Sequence, residues 1–261
     1  MSTGTIKLQL DGPVARVSVS NPQRYNAMSL SMWRALADTV DTLSAAQDVR
    51  VVLLRGEGGK AFVSGADISE FEAQRSNPEA VKAYDEAVHR AQTALAQCAK
   101  PVVALIHGVC MGGGIGLAMS CDLRYASYTA RFRMPAARMG LGYDPRGMRR
   151  LVELAGTAAV ADIFYTARNF DGIEAQRLGF VQQSFSEEIL DAEVEKTVAM
   201  IAQNAPLTIA AAKLAIRAAA SGDAEETAAA RQAVQGCFDS FDYREGRAAF
   251  AEKRAPRFRG E

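Results

Sequence analysis

Three features of the 261-residue sequence point to an α/β fold. Short apolar runs of strand length alternate with longer segments of helical periodicity through the first half. Beyond residue 145 the pattern turns almost wholly helical and rich in alanine. Between these regions, the buried run Val102-Val103-Ala104-Leu105-Ile106 leads to Gly112-Gly113-Gly114 and then Ile115-Gly116-Leu117-Ala118-Met119, which reads as strand, tight turn and helix start. Strands early and helices late describe an α/β core with a helical C-terminal layer.

Ile6-Lys7-Leu8-Gln9-Leu10 and Val14-Ala15-Arg16-Val17-Ser18-Val19 alternate around the turn Asp11-Gly12-Pro13, predicting an opening hairpin with one buried face. Met28 to Leu43 has helical spacing, and Val49 to Arg55 reads as a buried strand. Asn77-Pro78 supplies an N-cap and a first-turn proline for a helix lasting to about Cys98. Pro101 to Ile106 is the next strand, a helix begins near Gly113, and Asp122 to Tyr125 and Arg131 to Arg133 are short strands. Helices are expected over Pro145–Ala155, Thr157–Tyr165, Ile189–Asn204 and Pro206–Ala220. Asp223 with Glu226, and Asp242 with Glu245, have capping-box spacing before the last two helices.

Lys plus Arg equals Asp plus Glu at 30 each, which removes any global attraction to nucleic acid or a membrane surface. No apolar run approaches the roughly 18 residues of a membrane span. Cys98, Cys110, Cys121 and Cys237 lie far apart, and the N-terminus lacks a signal-peptide apolar core, so a reducing, cytoplasmic setting is expected. Two distant histidines without clustered acids or cysteines give no metal site: His89 reads as a surface or partly buried helix residue, and His107 as a hydrogen-bonding residue at a strand end. A dinucleotide fingerprint fails because its third glycine falls on Leu117.

The glycine turn has a counterpart in Phe62-Val63-Ser64-Gly65-Ala66-Asp67-Ile68, where an apolar run again breaks at glycine. Glycine permits positive φ and close approach, and a helix N-terminus leaves its first amides unpaired. Two such turns can aim two amides at one oxygen, the arrangement that stabilises an enolate or tetrahedral anion formed from a thioester. The segments A-F-V-S-G-A-D-I and H-G-V-C-M-G-G-G-I-G-L-A-M-S-C-D-L resemble the signatures of the enoyl-CoA hydratase/isomerase (crotonase) superfamily. Similarity runs from N-P-Q-R-Y-N-A-M near residue 21 to D-Y-R-E-G-R-A-A-F-A-E-K-R-A-P-R-F near the C-terminus.

The resemblance implies a spiral of ββα units over residues 1–200 carrying an acyl-CoA site, with residues 201–261 forming a helical region for oligomer contacts, in a homotrimer or homohexamer. It implies that the amides of Ala66 and Gly113 form the oxyanion hole. Arg24, Tyr25, Ala27, Ser64, Ala66, Asp67 and Ile68 match segments lining the coenzyme A pocket, and Phe250 and Lys253 match residues that reach coenzyme A, often from a neighbouring subunit. Beyond coenzyme A as part of the substrate no cofactor, metal or membrane partner is expected, and the zero formal net charge puts nucleic-acid binding, known for some family relatives, a distant third. From the residues alone, Asp67 reads as a cap for the segment after it, and Met111, Met134, Met139 and Met148 as an adaptable acyl pocket or core filler.

Family hydratases carry one glutamate two positions after the glycine triplet and another after the proline of an F-x-x-P-E segment. Here these positions are Gly116 and Ala136, which cannot move a proton. The resemblance thus implies the thioester site without efficient hydration, leaving isomerisation, hydrolysis, decarboxylation or non-catalytic acyl-CoA binding open. In the loop Met139-Gly140-Leu141-Gly142-Tyr143-Asp144-Pro145, Asp144 matches an aspartate that is a nucleophile in 4-chlorobenzoyl-CoA dehalogenases and an active-site residue in dihydroxynaphthoyl-CoA synthases. Tyr143 matches a tyrosine of methylmalonyl-CoA decarboxylases, whose partner histidine is Ala66 here. Asp144 reads equally as an N-cap ahead of Pro145, with Arg146 and Arg149 at helical spacing to neutralise it.

Overall fold

A computed structural model of the chain describes residues 4–67, 70 and 77–261. Strands β1 (Thr5–Asp11), β2 (Val14–Ser20), β3 (Val51–Gly56), β5 (Val102–Ile106), β7 (Leu123–Ser127) and β10 (Gln183–Phe185) form a six-stranded sheet in the order β1-β2-β3-β5-β7-β10. Among the described strands of this sheet only the β1–β2 pair is antiparallel; Val52 faces Val102 and Val103 faces Leu123 across parallel neighbours. Short strands β4 (Ala61–Val63), β6 (Val109–Met111), β8 (Arg131–Arg133) and β9 (Asn169–Phe170) form a second sheet in that order. Each turn of chain therefore places one strand in each sheet, β3 then β4, β5 then β6, β7 then β8, before a helix returns it. This is the α/β fold that the sequence pattern predicts, with the ββα repeats that the family resemblance implies.

The central parallel strands are apolar along Val51–Leu54 of β3 and all of β5 because both faces are covered. Val52, Leu54, Val102, Ala104 and Ile106 point into a core shared with Trp33, Leu36 and Val40 of α1 (Leu30–Ala45) and with Leu95 of α2 (Pro78–Gln97). Their neighbours Val51, Leu53, Val103 and Leu105 point the other way, onto Leu190, Val194 and Val198 of α6 (Glu187–Gln203). Between these lie α3 (Gly113–Ser120), α4 (Pro145–Thr166) and α5 (Gly172–Arg177), and α7 (Pro206–Ser221), α8 (Ala224–Asp239) and α9 (Phe241–Glu252) make the helical C-terminal region. Ser29 caps α1 by accepting from the Met32 amide at 3.2 Å, and Asn77 caps α2 by accepting from Ala80 at 2.8 Å. The two helices expected between residues 145 and 165 meet at Gly156, whose φ of +78° breaks α4. No described helix is long and apolar enough to cross a membrane by itself.

Two expectations fail on tertiary grounds. In the opening hairpin β2 is buried, but β1 is an edge strand with Leu8 at 45% and Leu10 at 61% exposure, so its apolar face is uncovered in the single chain. The capping box at Asp242 does not form. Ser240 caps α9 by accepting from the Tyr243 amide at 3.0 Å, and the buried Asp242 carboxylate accepts from the amides of Arg259 and Gly260 at 2.7 and 2.9 Å, tying down the C-terminal tail. Glu245 pairs with Arg254 instead. Asp223 does cap α8, accepting from Glu226 at 2.9 Å.

Candidate active site

Both glycine turns lie where a strand of the small sheet ends. After β4, Gly65 takes φ +113°, a conformation open only to glycine without strain. The Met28 amide donates to Gly65 O at 2.8 Å and the Asp67 amide to Met28 O at 2.9 Å, which brackets Ala66 in a parallel bridge. Successive amides of extended chain face opposite sides, so the Ala66 N–H is directed away from Met28. The segment that grips this turn is the 21–28 motif. Buried Asn26 donates through Nδ2 to Ala61 O at 2.8 Å and accepts from the Asn21 amide at 2.9 Å, while Ser64 N donates to Tyr25 O at 3.1 Å. Arg24 and Asp67 close the outer edge with a 2.6 Å ion pair.

After β6, Gly112 turns the chain at φ +50° and Gly113 opens α3. The first amides of a helix have no preceding carbonyl to bond and stay available, with partial positive charge behind them. The triplet divides its labour. Gly112 supplies the turn, and Gly114 the close approach: a Cβ there would lie 2.1 Å from Val63 O. A Cβ on Gly113 would lie 4.0 Å from Gly65 Cα, and one on Gly65 would lie 3.9 Å from Gly113 N. The two turns are thus in contact across the sheet.

They open onto a cleft of about 280 Å³. Ser64, Gly65, Ala66, Gly112 and Gly113 form its backbone wall, and the side chains of Tyr143, Asp144, Ala136 and Met139 line the rest with others. Trp33 forms part of the lining, its indole held by a 2.8 Å hydrogen bond to the Tyr84 hydroxyl, and α2 adds Asp85, His89 and Gln92. Trp33, Tyr84, His89 and Gln92 were not legible as site residues in the sequence. The available signal was the 4,3 spacing of Asp85, His89 and Gln92, which places three polar groups on one stripe of α2 beside its apolar stripe.

The electrostatics of the side-chain wall are dominated by one pair. Asp144 caps α4 by accepting from the Arg146 amide at 2.8 Å, and the Arg146 guanidinium folds back on the same carboxylate, with Nε at 2.9 and 3.0 Å. These bonds, with a smaller contribution from His89, hold the Asp144 carboxyl down at about 2. Burial, reinforced by the Asp144 charge, pushes the Tyr143 hydroxyl up to about 12. At neutral pH Asp144 is ionised and Tyr143 is a proton donor. Tyr143 is fixed by an edge-on contact with Phe164, ring centroids 5.0 Å apart. Gly116 is buried in α3, and a Cβ there would lie 2.4 Å from Gln92 Nε2 and 3.5 Å from Tyr143 Oη.

Of the residues the sequence singled out, Ser64, Ala66, Gly113, Tyr143 and Asp144 come together in the cleft. Arg24, Tyr25 and Asp67 form the adjoining edge, and Ala27 is buried behind it. Phe250 and Lys253 do not join the cleft; they stand on α9, Phe250 at 87% exposure and Lys253 as the left-handed C-cap. Ile68, and the segment Asp67 was expected to cap, lie largely outside the described residues. Met134 and Met139 line the cleft, whereas Met148 packs on the core and Met111 is not in the lining. His107 bonds Asp191 at 2.8 Å at the end of β5. Among the described residues no His, Cys, Asp or Glu group could hold a metal ion.

Comparison with known proteins accounts for nearly the whole chain. Residues 10–261 match the enoyl-CoA hydratase/isomerase family. A short-chain-enoyl-CoA hydratase of Clostridium acetobutylicum is 31% identical over 97% of each chain, and a peroxisomal Delta(3,5)-Delta(2,4)-dienoyl-CoA isomerase of Arabidopsis thaliana is 33% identical over 80% of this chain and 78% of its own. Among solved structures, an enoyl-CoA hydratase/carnithine racemase from Magnetospirillum magneticum superposes with a TM-score of 0.92 at 36% identity, covering 100% of this chain and 97% of that one. With two signature turns in contact above one cleft and a match of this extent, the chain belongs to the enoyl-CoA hydratase/isomerase (crotonase) family of acyl-CoA-processing enzymes.

Proposed function

We propose that the cleft takes an acyl-coenzyme A thioester, places its carbonyl oxygen between the amides of Ala66 and Gly113, and stabilises the enolate or tetrahedral anion that develops there. The observation that carries this reading is the contact between the two glycine turns. Two donors at about 2.7 to 3.1 Å from an oxyanion, fixed before reaction, act without reorganisation. Arg24, Tyr25, Ala27, Ser64 and Asp67 hold the coenzyme A portion at the adjoining edge. Phe250 and Lys253 serve a neighbouring subunit's thioester in a homotrimer or homohexamer, a role supported by the exposure of Phe250. The four free cysteines suit a reducing, cytoplasmic setting.

In this reading the enzyme is a poor hydratase, because Gly116 and Ala136 leave water without a positioned acid and base. The proton-transfer or nucleophilic group is Asp144, with Tyr143 orienting the substrate, and His89 is the imidazole facing the same space. The scarcity of bases also favours, as a second reading, decarboxylation, in which loss of carbon dioxide itself forms the enolate. Thioester hydrolysis and simple acyl-CoA binding complete the alternatives. Incubation with a panel of acyl-CoAs in isotopically labelled water, followed by mass spectrometry, separates them: label uptake, hydration, hydrolysis and carbon dioxide loss give different masses. No mass change and no binding across the panel would overturn the thioester reading.

A further inference from the structure

We infer that Gln92 determines acyl specificity, selecting thioesters whose acyl chain carries a neutral oxygen on the third or fourth carbon over plain hydrocarbon chains; this rests on the thioester reading above. Gln92 comes from α2 and lines the cleft, and its Nε2 occupies the volume a side chain at Gly116 would enter, 2.4 Å from the Cβ position. Tyr143 Oη lies 3.5 Å from the same point, so the two polar groups converge on one spot of the wall. Gly116 is three residues beyond Gly113, one helical turn further along α3, or about 4.5 Å at 1.5 Å per residue. An acyl chain whose carbonyl sits at Gly113 passes Gln92 two or three carbons later.

Among the described residues the half-buried Gln92 carboxamide has no hydrogen-bond partner, and most of the residues lining the cleft are apolar or glycine. A polar group left facing a closed apolar ligand incurs a desolvation cost, and a ligand oxygen that meets it removes that cost. An amide both donates and accepts, so it suits a ketone or hydroxyl. A terminal carboxylate is disfavoured because Asp85 and Asp144 line the same cleft against one arginine, Arg146, which is already paired with Asp144.

The test compares dissociation constants of butyryl-CoA, acetoacetyl-CoA and succinyl-CoA, read by quenching of Trp33, the single tryptophan, which lines the cleft. The wild-type protein should prefer acetoacetyl-CoA to butyryl-CoA by about three- to tenfold, the scale of one hydrogen bond. Gln92→Leu should abolish that ratio while keeping butyryl-CoA affinity. Gly116→Ala, whose methyl displaces the carboxamide, should reduce the ratio in the same direction, with thermal melting verifying that both variants fold. A wild-type ratio near one, a ratio that survives Gln92→Leu, or tightest binding of succinyl-CoA would overturn the inference while leaving the thioester reading intact. Failure of all three thioesters to bind the wild-type protein would overturn both.

Discussion

The two walls of the cleft are built on opposite principles. On one, the amides of Ala66 and Gly113 belong to backbone whose position is set by ladder hydrogen bonds, by positive φ at Gly65 and Gly112, and by the contact of Gly114 with Val63. On the other, the equipment is side chains: Asp144 at the head of α4 is held by a surface arginine, and Tyr143 is packed against Phe164. The first wall can be changed only by disturbing the fold. The second can change one residue at a time, which is how one scaffold supports many reactions. On the proposed reading Gly116 and Ala136 illustrate this, standing at the two positions where the family resemblance implies hydratase glutamates while the backbone wall stays whole.

The widest gap between the walls is expected in crotonyl-CoA hydration. Loss of positioned acid–base groups forfeits ~10²- to 10⁴-fold per proton transfer. A spectrophotometric turnover near the roughly 10 per second of an ordinary enzyme would mean that carboxylates elsewhere do this work and that the contrast is false. On the backbone wall, Gly114→Ala forces a methyl to 2.1 Å from Val63 O, so the helix start and β4 must separate. We expect a loss of about 3 kcal/mol in urea unfolding, with weakened thioester binding. A stable variant that binds normally would show the backbone wall to be as tolerant as the other.

Asp144→Asn tests the side-chain wall. The amide keeps most of the cap to the Arg146 N–H while losing charge, so melting should move little and turnover on the true substrate should fall about 100-fold. Unchanged turnover would assign Asp144 to the helix cap alone.

Smaller effects are expected in the pH dependence of stability. The Asp144 carboxyl is depressed to about 2, so its contribution is present above the ordinary carboxyl range, near 4, and is lost as pH falls toward 2. Because the group is 43% exposed, solvent screening makes this contribution small. Tyr143 has the opposite sense. Its raised value means that the folded state keeps the proton while the unfolded chain releases it, so stability falls as pH rises from about 10 toward 12. Denaturation midpoints at pH 8 and 11 should differ less for Tyr143→Phe than for the wild type. An identical difference would show that Tyr143 is not desolvated. Light scattering supplies the remaining check: a trimeric or hexameric mass is expected, and a monomer at micromolar concentration would leave Phe250 and Lys253 without a thioester to contact.

The glycine turns, the caps at Asn77 and Asp223 and the alternation of strands were legible in the sequence because each depends on local chemistry, whereas Ala66, Gly113, Tyr143 and Asp144 were singled out only by the resemblance to a known family. Positive φ, an N-cap and a buried strand leave signatures within a few residues. The tertiary structure alone decided the rest. It assigned Asp242 to the C-terminal tail rather than a helix cap, left β1 half uncovered, put Arg146 on Asp144, and turned His89 and Gln92 of α2 into the cleft beside Gly116. These outcomes depend on which distant segments share space. Such proximity follows from the packing of the two sheets and their helices, not from any pattern within a window of sequence.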